Sequence, residues 1–257
     1  MSDAYQIGAI GLRTQQQPLD AIANNIANIN TSGFKRSEVR FADVVASRPD
    51  AALSPADLQS TAPTLSGVAI DLQFMLNDQG ELQRTGVTMD VAVDGPGFIE
   101  LMGPDGRTLL WRGGRLAIGD DGVLGSAAGF ALKANITVPN DTTSLSIGTD
   151  GMVRAQGADG TAPIDLGQIR LVRVADPAGI VRLDGGLYQL ADDAPPDEQA
   201  PGEDGAGQLV QGAVERSNVQ LTEEMVRMML IQRAYAANAQ IVQAADQLMG
   251  IANTLRR

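Results

Sequence analysis

The 257-residue chain has no cysteine and no histidine. Without cysteine there is no disulfide, no thiolate metal ligand and no thiol nucleophile. Without histidine, the side chain behind most general-base and transition-metal sites is missing, which argues against a hydrolase or a metalloenzyme. Aromatic residues make up only 4 %, so there is little material for stacking surfaces. No run approaches the roughly 20 apolar residues needed to cross a bilayer, and no direct membrane insertion is expected. The N-terminus MSDAYQIGAIGLRTQQQ lacks the basic and apolar regions of a cleaved signal peptide. Positive charge is short too: the net charge is −12, which disfavours binding to nucleic acid or to an anionic membrane.

The acidity is concentrated. Residues 1–48 and 208–257 each carry five Lys/Arg against four Asp/Glu, leaving −14 for the middle. DGGLYQLADDAPPDEQAPGEDG (184–205) alone holds seven acids and no base. Carboxylate catalysis would be the remaining enzymatic route, but Asp120-Asp121 and Asp192-Asp193 are sequence neighbours. On a strand, neighbours point to opposite faces, and both pairs lie beside turn residues, where Asp serves backbone hydrogen bonding. Gly95-Pro96-Gly97 lacks the third glycine of a dinucleotide fingerprint. We expect no catalytic residues, no cofactor and no metal.

Both ends read as helix. Tyr5, Gly8, Leu12, Gln15, Leu19, Ile22, Ile26 and Ile29 alternate at spacings of three and four, the seam of a helix laid against another helix. Pro18 predicts a kink or restart, and Asn30-Thr31-Ser32-Gly33 a stop with Gly33 as the left-handed cap. At the other end, Leu230, Ala234, Ala237, Ile241, Ala244, Leu248, Ile251 and Leu255 keep the same alternation without exception. Thr222 suits an N-cap, with Glu223 and Glu224 at the positive end of the helix dipole. A helix from 222 to 255 would be roughly 50 Å long.

Between the ends the pattern is β. Alternation runs through VTMDVAVDG (87–95), TLLWRGGRLAIG (108–119), ITVP (136–139) and QIRLVRVA (168–175), punctuated by seven Asp-Gly dipeptides. The fold class expected is α+β: long N- and C-terminal helices paired as a coiled-coil-like stalk, with a compact all-β domain inserted between them. The division is an N-terminal helical half at 1–45, a connector at 46–84 and a β-rich outer domain at 85–183. An acidic Pro/Gly returning connector follows at 184–207, then a C-terminal helical half at 208–257. Ile10, Val226, Met229, Ile231 and Val242 lie off the seam, so a lone helix pair leaves apolar surface wet and calls for partner chains.

Specific lettering supports this. LDAIANNIANINTSGFKRSEVRFADVV (19–45) carries Asn-Asn-x-Ala-Asn followed by Asn-Thr-x-Gly-Phe-Lys. SNVQLTEEMVRMMLIQRAYAANAQIVQAADQLM (217–249) carries Ser-Asn-Val, Glu-Glu-Met-Val and Gln-Arg-Ala-Tyr in order, and MDVAVDGPGFIEL (89–101) carries Asp-Val-Ala-x-x-Gly-x-Gly-Phe. The chain thereby resembles the bacterial flagellar rod and hook axial proteins over nearly its whole length. ITVPNDTTSLSIGTDGMV (136–153) and APGEDGAGQLVQGAVERSNV (200–219) look most like the distal-rod branch, with the proximal rod as the alternative. Leu110-Trp111-Arg112-Gly113-Gly114 keeps the arginine of the family's Tyr/Phe-Thr-Arg-x-Gly segment but not the Thr before it. Residues 46–66 match no segment of the family.

The resemblance implies an inner tube of terminal helices with the β domain outside. It also implies export without a cleaved signal and a place in the periplasm-spanning basal body. Partners would be other copies in a helical tube, neighbouring rod and hook proteins, and the encircling periplasmic and outer-membrane rings. The expected assembly interface is Leu12, Leu19, Ile22, Ile26 and Ile29 with the C-terminal seam, its register fixed by amides such as Asn25 and Asn28. Phe34 is expected to wedge between copies, with Lys35 and Arg36 meeting acids on a neighbour or lying in a solvated turn. Outside this family, the rival reading is a stalked β-domain binding or adhesin module.

Overall fold

The computed structural model describes residues 15–43, 68–104, 106–157, 162–174, 180–190, 197–203 and 205–255. Leu12 and the first part of the expected N-terminal seam lie outside them.

Helix α1 (Gln16–Ala27) comes first, then β1 (Ser37–Asp43) and β2 (Val68–Phe74), which pair as a two-stranded sheet. The body follows as β3 (Leu82–Arg84), β4 (Asp90–Asp94), β5 (Phe98–Met102), β6 (Thr108–Trp111), β7 (Gly113–Ile118) and β8 (Leu124–Ser126). It continues through β9 (Thr142–Ile147), β10 (Met152–Gly157), β11 (Ile164–Gln168), β12 (Leu171–Arg173) and β13 (Ile180–Arg182). β14 (Leu187–Leu190), β15 (Asp197–Gln199), β16 (Gln208–Gln211) and β17 (Ala213–Glu215) complete it, and helix α2 (Leu221–Leu255) closes the chain. The body strands form a six-stranded sheet (β13-β14-β6-β5-β12-β15), a four-stranded one (β16-β4-β7-β8), a three-stranded one (β11-β10-β9) and the pair β17-β3.

The short strands follow from the turn chemistry. Between β7 and β8 the Asp121 carboxylate accepts from the Val123 amide at 3.1 Å, and between β9 and β10 Asp150 accepts from Met152 at 3.1 Å. Each is an Asx turn closed by a glycine of positive φ, Gly122 and Gly151. The β6–β7 run breaks at Arg112, followed by Gly113 at positive φ, where a Cβ would stand 2.3 Å from the Val91 carbonyl oxygen. Val91, Val93, Ile99, Leu101, Leu109, Trp111, Leu116 and Leu124 face one core, which Leu132, Ile136 and Val138 extend. At ~1.5–3 kcal/mol for each large side chain fully removed from water, this core stabilises the β body.

The chain forms two compact units. One comprises Ala23–Arg36 with Phe74–Met225, and holds the body; the other takes the described residues up to Ile22, those from Ser37 to Gln73, and those from Val226 onward.

The α+β class and the long C-terminal helix match the sequence reading; several particulars do not. The described part of the N-terminal helix runs from Gln16 to Ala27, with Pro18 in its first turn, where a missing N–H costs nothing, in keeping with the restart expected there. It ends at Ala27, earlier than expected. There the Asn28 side-chain amide donates to the Asn24 carbonyl at 2.9 Å, satisfying an end that Gly33 was expected to cap. Helix α2 starts one residue before Thr222, with the Gln220 carbonyl accepting from the Glu224 amide at 3.1 Å. Pairing of the two end helices is not seen among the described residues, where Leu230, Ala234, Ala237, Ile241 and Ala244 are exposed in the single chain. The stretch read as a returning connector contains β14, whose Tyr188 is fully buried, and the 46–84 connector contains β2 and β3. ITVP forms no strand; Ile136 and Val138 are buried on an irregular segment bridged at Val123 and Thr137.

Candidate functional site

Two features of the chain call for a functional account: a buried charged hub and an uncovered helix. The hub lies where three sequence-distant segments meet. Gly33 to Arg36 leave the N-terminal signature, Arg112 sits at the β6–β7 break, and Glu215 to Asn218 lead from β17 towards α2. The Gly33 amide donates to the Glu215 carbonyl at 2.8 Å, which brings the segments side by side.

Lys35 and Arg112 are buried and share one carboxylate. Lys35 Nζ reaches Glu215 Oε1 at 2.6 Å and the Asp78 carbonyl at 2.7 Å. Arg112 Nε reaches Glu215 Oε2 at 2.8 Å, and the Gly80 amide donates to Oε1 at 2.9 Å. Arg112 spends its remaining donors on the carbonyls of Gly95, Gly97 and Val93. Gly80 has no room for a side chain, since a Cβ there would stand 1.8 Å from the Arg216 carbonyl oxygen. Burial pushes the Lys35 ammonium below its ordinary pKa; Glu215 pulls the other way, and Arg112 adds to the lowering. Two cations around one acid leave a net positive interior, so Glu215 is the group whose charge the hub cannot lose.

Around this centre the contacts are specific. The Lys35 amide donates to Tyr188 Oη at 2.9 Å, and the Arg36 amide to Asn218 Oδ1 at 2.7 Å. Asn218 Nδ2 donates to the carbonyls of Asp78 and Met75 at 2.9 and 3.2 Å. Burial pushes the Tyr188 phenol up to about 12, against the Lys35 amide hydrogen bond. Arg182 stacks on Phe34 with its guanidinium 4.6 Å from the ring centroid, a geometry in which ring face and cation attract. Asn25, 1 % exposed, donates to Glu224 Oε2 at 3.3 Å, tying the last turn of α1 to the first turn of α2.

The hub revises part of the sequence reading. Phe34 and Lys35, expected between copies, are buried within their own chain, and Arg36 pairs with Glu223 of the same chain at 3.2 Å. The reason is the concentration of acids just before and inside the C-terminal signature, within reach of the basic turn. The sequence reading missed Glu215, Tyr188 and Asn218. Its one usable signal for Arg112 was that the arginine persists where the surrounding family segment has changed.

The expected interface residues divide into two groups. Ile22 and Asn25 are buried, and Leu19, Ile26, Asn28 and Ile29 half-buried. Leu230, Ala234, Ala237, Ile241, Ala244 and Ile251 are exposed; the Leu248 and Leu255 side chains lie outside the description. Off the seam, Met225, Val226, Met229 and Tyr235 are each about half exposed. Exposed apolar side chains thus run along the helix and around it, a distribution that a single chain leaves to water and that partners cover.

A cavity of about 700 Å³ is lined by Trp111, Phe130, Leu109 and Leu187 with Arg107 and Arg115. Its Trp111 is only 7 % exposed, and Phe98 is buried at 4 %. Neither aromatic offers the open face that a sugar-stacking platform requires.

Comparison with known proteins places the ends and the body separately. Residues 6–35 match the family described as flagella basal body rod protein. Residues 92–155 match the D1 domain of the flagellar hook protein FlgE/F/G, and residues 210–255 the C-terminal region of the flagellar basal body rod FlgEFG proteins. Over full length, the chain is 34 % identical to the flagellar basal-body rod protein FlgG of Borreliella burgdorferi, covering 100 % of both chains. It is 34 % identical to FlgG of Bacillus subtilis over 97 % of each. It is 30 % identical to FlgF of Caulobacter vibrioides over 96 % of this chain and 95 % of that one.

Proposed function

The chain belongs to the flagellar basal-body rod family of the FlgG type, a structural subunit of the rod with the distal rod favoured, and on that premise we propose how it works. Copies polymerise through their terminal helices into a helical tube that transmits torque and leaves a channel for export. The tube spans the periplasm, meets neighbouring rod and hook proteins at its ends, and turns inside the encircling rings. No bond is broken, and packing does the work.

The observation that carries this reading is the exposure of α2. Ordering a backbone costs about 1–2 kcal/mol per residue, while the burial that offsets it is missing in one chain at Leu230, Ala234, Ala237, Ile241, Ala244 and Ile251. A helix surrounded by copies gains ~1.5–3 kcal/mol for each large apolar side chain it buries. Folding of the ends is thereby coupled to assembly. The hub has a complementary role: it fixes the roots of both signatures to the β body, so that force on the body reaches the helices through buried bonds. The acids of 184–205 give the tube a negative exterior, which resists adhesion to the rings.

Electron microscopy of the purified protein at rising concentration tests the reading. Wild-type protein forms polymers of uniform diameter, and a Leu230→Asp/Ile241→Asp variant with an unchanged body does not. Polymers of equal length from both would remove the helix as the assembly surface.

A further inference from the structure

Three of the nine methionines lie within five residues of helix α2: Met225, Met228 and Met229. Met225 and Met229 are 51 % and 52 % exposed, and Met228 is half-buried. At a spacing of four residues, the two exposed thioethers stand one above the other on the helix surface. Leu221, Val226 and Leu230 around them are also open to solvent. The sulfurs therefore sit inside the apolar surface assigned to copies of the chain, and are reachable only before assembly covers them.

We propose that Met225 and Met229 are oxidation sites at which a hydroperoxide switches off polymerisation. A thioether lone pair attacks one peroxide oxygen and the O–O bond breaks. Sulfur gains the oxygen as a sulfoxide, losing two electrons, and the other oxygen leaves with the proton as water or an alcohol. The product is polar and chiral where the surface needs a flexible apolar side chain. It is also reversible, because methionine sulfoxide reductases return the thioether at the expense of a thiol. Assembly protects the same sulfurs, so the switch acts on free subunits and leaves finished tube unaffected.

The inference rests on the reading of α2 as the assembly surface, and the experiment separates the two. Purified protein is treated with hydrogen peroxide, the oxidised residues are located by peptide mass, and the polymerisation threshold is measured by sedimentation. Helix content is followed by circular dichroism. Treated wild type should need about tenfold more protein or greater to polymerise, with unchanged helix content, and should recover after reductase and dithiol. Met225→Leu/Met229→Leu, measured against its own untreated threshold, should show no rise after peroxide, since leucine keeps an apolar side chain and has no sulfur to oxidise. Met102, 50 % exposed at the end of β5, is the control: Met102→Leu should remain peroxide-sensitive. An unchanged threshold after oxidation of both sulfurs overturns the proposal, as does a double leucine variant that is still inactivated. Untreated protein that polymerises at no concentration brings down the rod reading and this inference together.

Discussion

Glu215→Gln exchanges one carboxylate oxygen in the hub for an NH2 group and should cost more than any other isosteric substitution in the body. The carboxylate accepts from Lys35 Nζ and the Gly80 amide on one oxygen and from Arg112 Nε on the other. A glutamine must turn its NH2 towards one of these sets, so a donor faces a donor whichever way it flips. One charge-assisted hydrogen bond is lost, ~1.5–3 kcal/mol, and two buried cations are left without a counter-charge. Breaking a buried pair in this way costs about 3–5 kcal/mol. For a body of this size, each kcal/mol shifts the midpoint by roughly 2–4 °C, so melting near neutral pH should fall by about 6–20 °C. Adding Lys35→Met removes one of the stranded cations and should recover part of the loss, a coupling of more than ~1 kcal/mol in a double-mutant cycle. A midpoint within about 2 °C of wild type, or additive variants, would refute the shared-carboxylate account.

Other outcomes follow from the same geometry. Tyr188 is an acid whose folded pKa is raised from 10 to about 12. Between those values the unfolded chain releases its proton first, so stability falls as pH rises, by about 1.4 kcal/mol per unit. Lys35 acts oppositely: its folded pKa is lowered, so it adds stability as pH approaches its ordinary 10.5 from below. Tyr188→Phe, compared with wild type in alkaline denaturation curves, should remove the fall above pH 10 and cost about 1–3 kcal/mol for the unpaired Lys35 amide. Gly80→Ala should prevent stable folding of the body, read by circular dichroism, because the new methyl meets a backbone carbonyl that cannot step aside. Neutralising the 184–205 acids with Asn and Gln should leave the fold in place and impair ring assembly or rotation in motile cells; unaltered motility would dismiss the negative exterior as a functional device.

How much of this was legible in the sequence depends on the range of the interaction. The long helix announced itself because a seam at spacings of three and four over eight positions has no other solution. Asp121-Gly122 and Asp150-Gly151 gave true turns because their chemistry is local. β14 did not stand out: LYQL lies between acids, prolines and glycines, and only the six-stranded sheet shows why Tyr188 is inside. The hub was hidden for a related reason. Lys35, Arg112 and Glu215 are each unremarkable in their own segments, and their meeting is a property of the topology. The asparagines were half understood; amides at 24, 25 and 28 do fix local geometry, but Asn25 and Asn28 do so within the chain, by capping α1 and holding Glu224.

Hydrogen exchange along helix α2, in dilute monomer and in polymer, probes the coupling of folding to assembly directly. The account predicts amides from about Met229 onward that exchange rapidly in the monomer and become strongly protected in the polymer, while the Val91–Leu101 core is protected in both. Strong protection of the whole helix in the dilute monomer would contradict it.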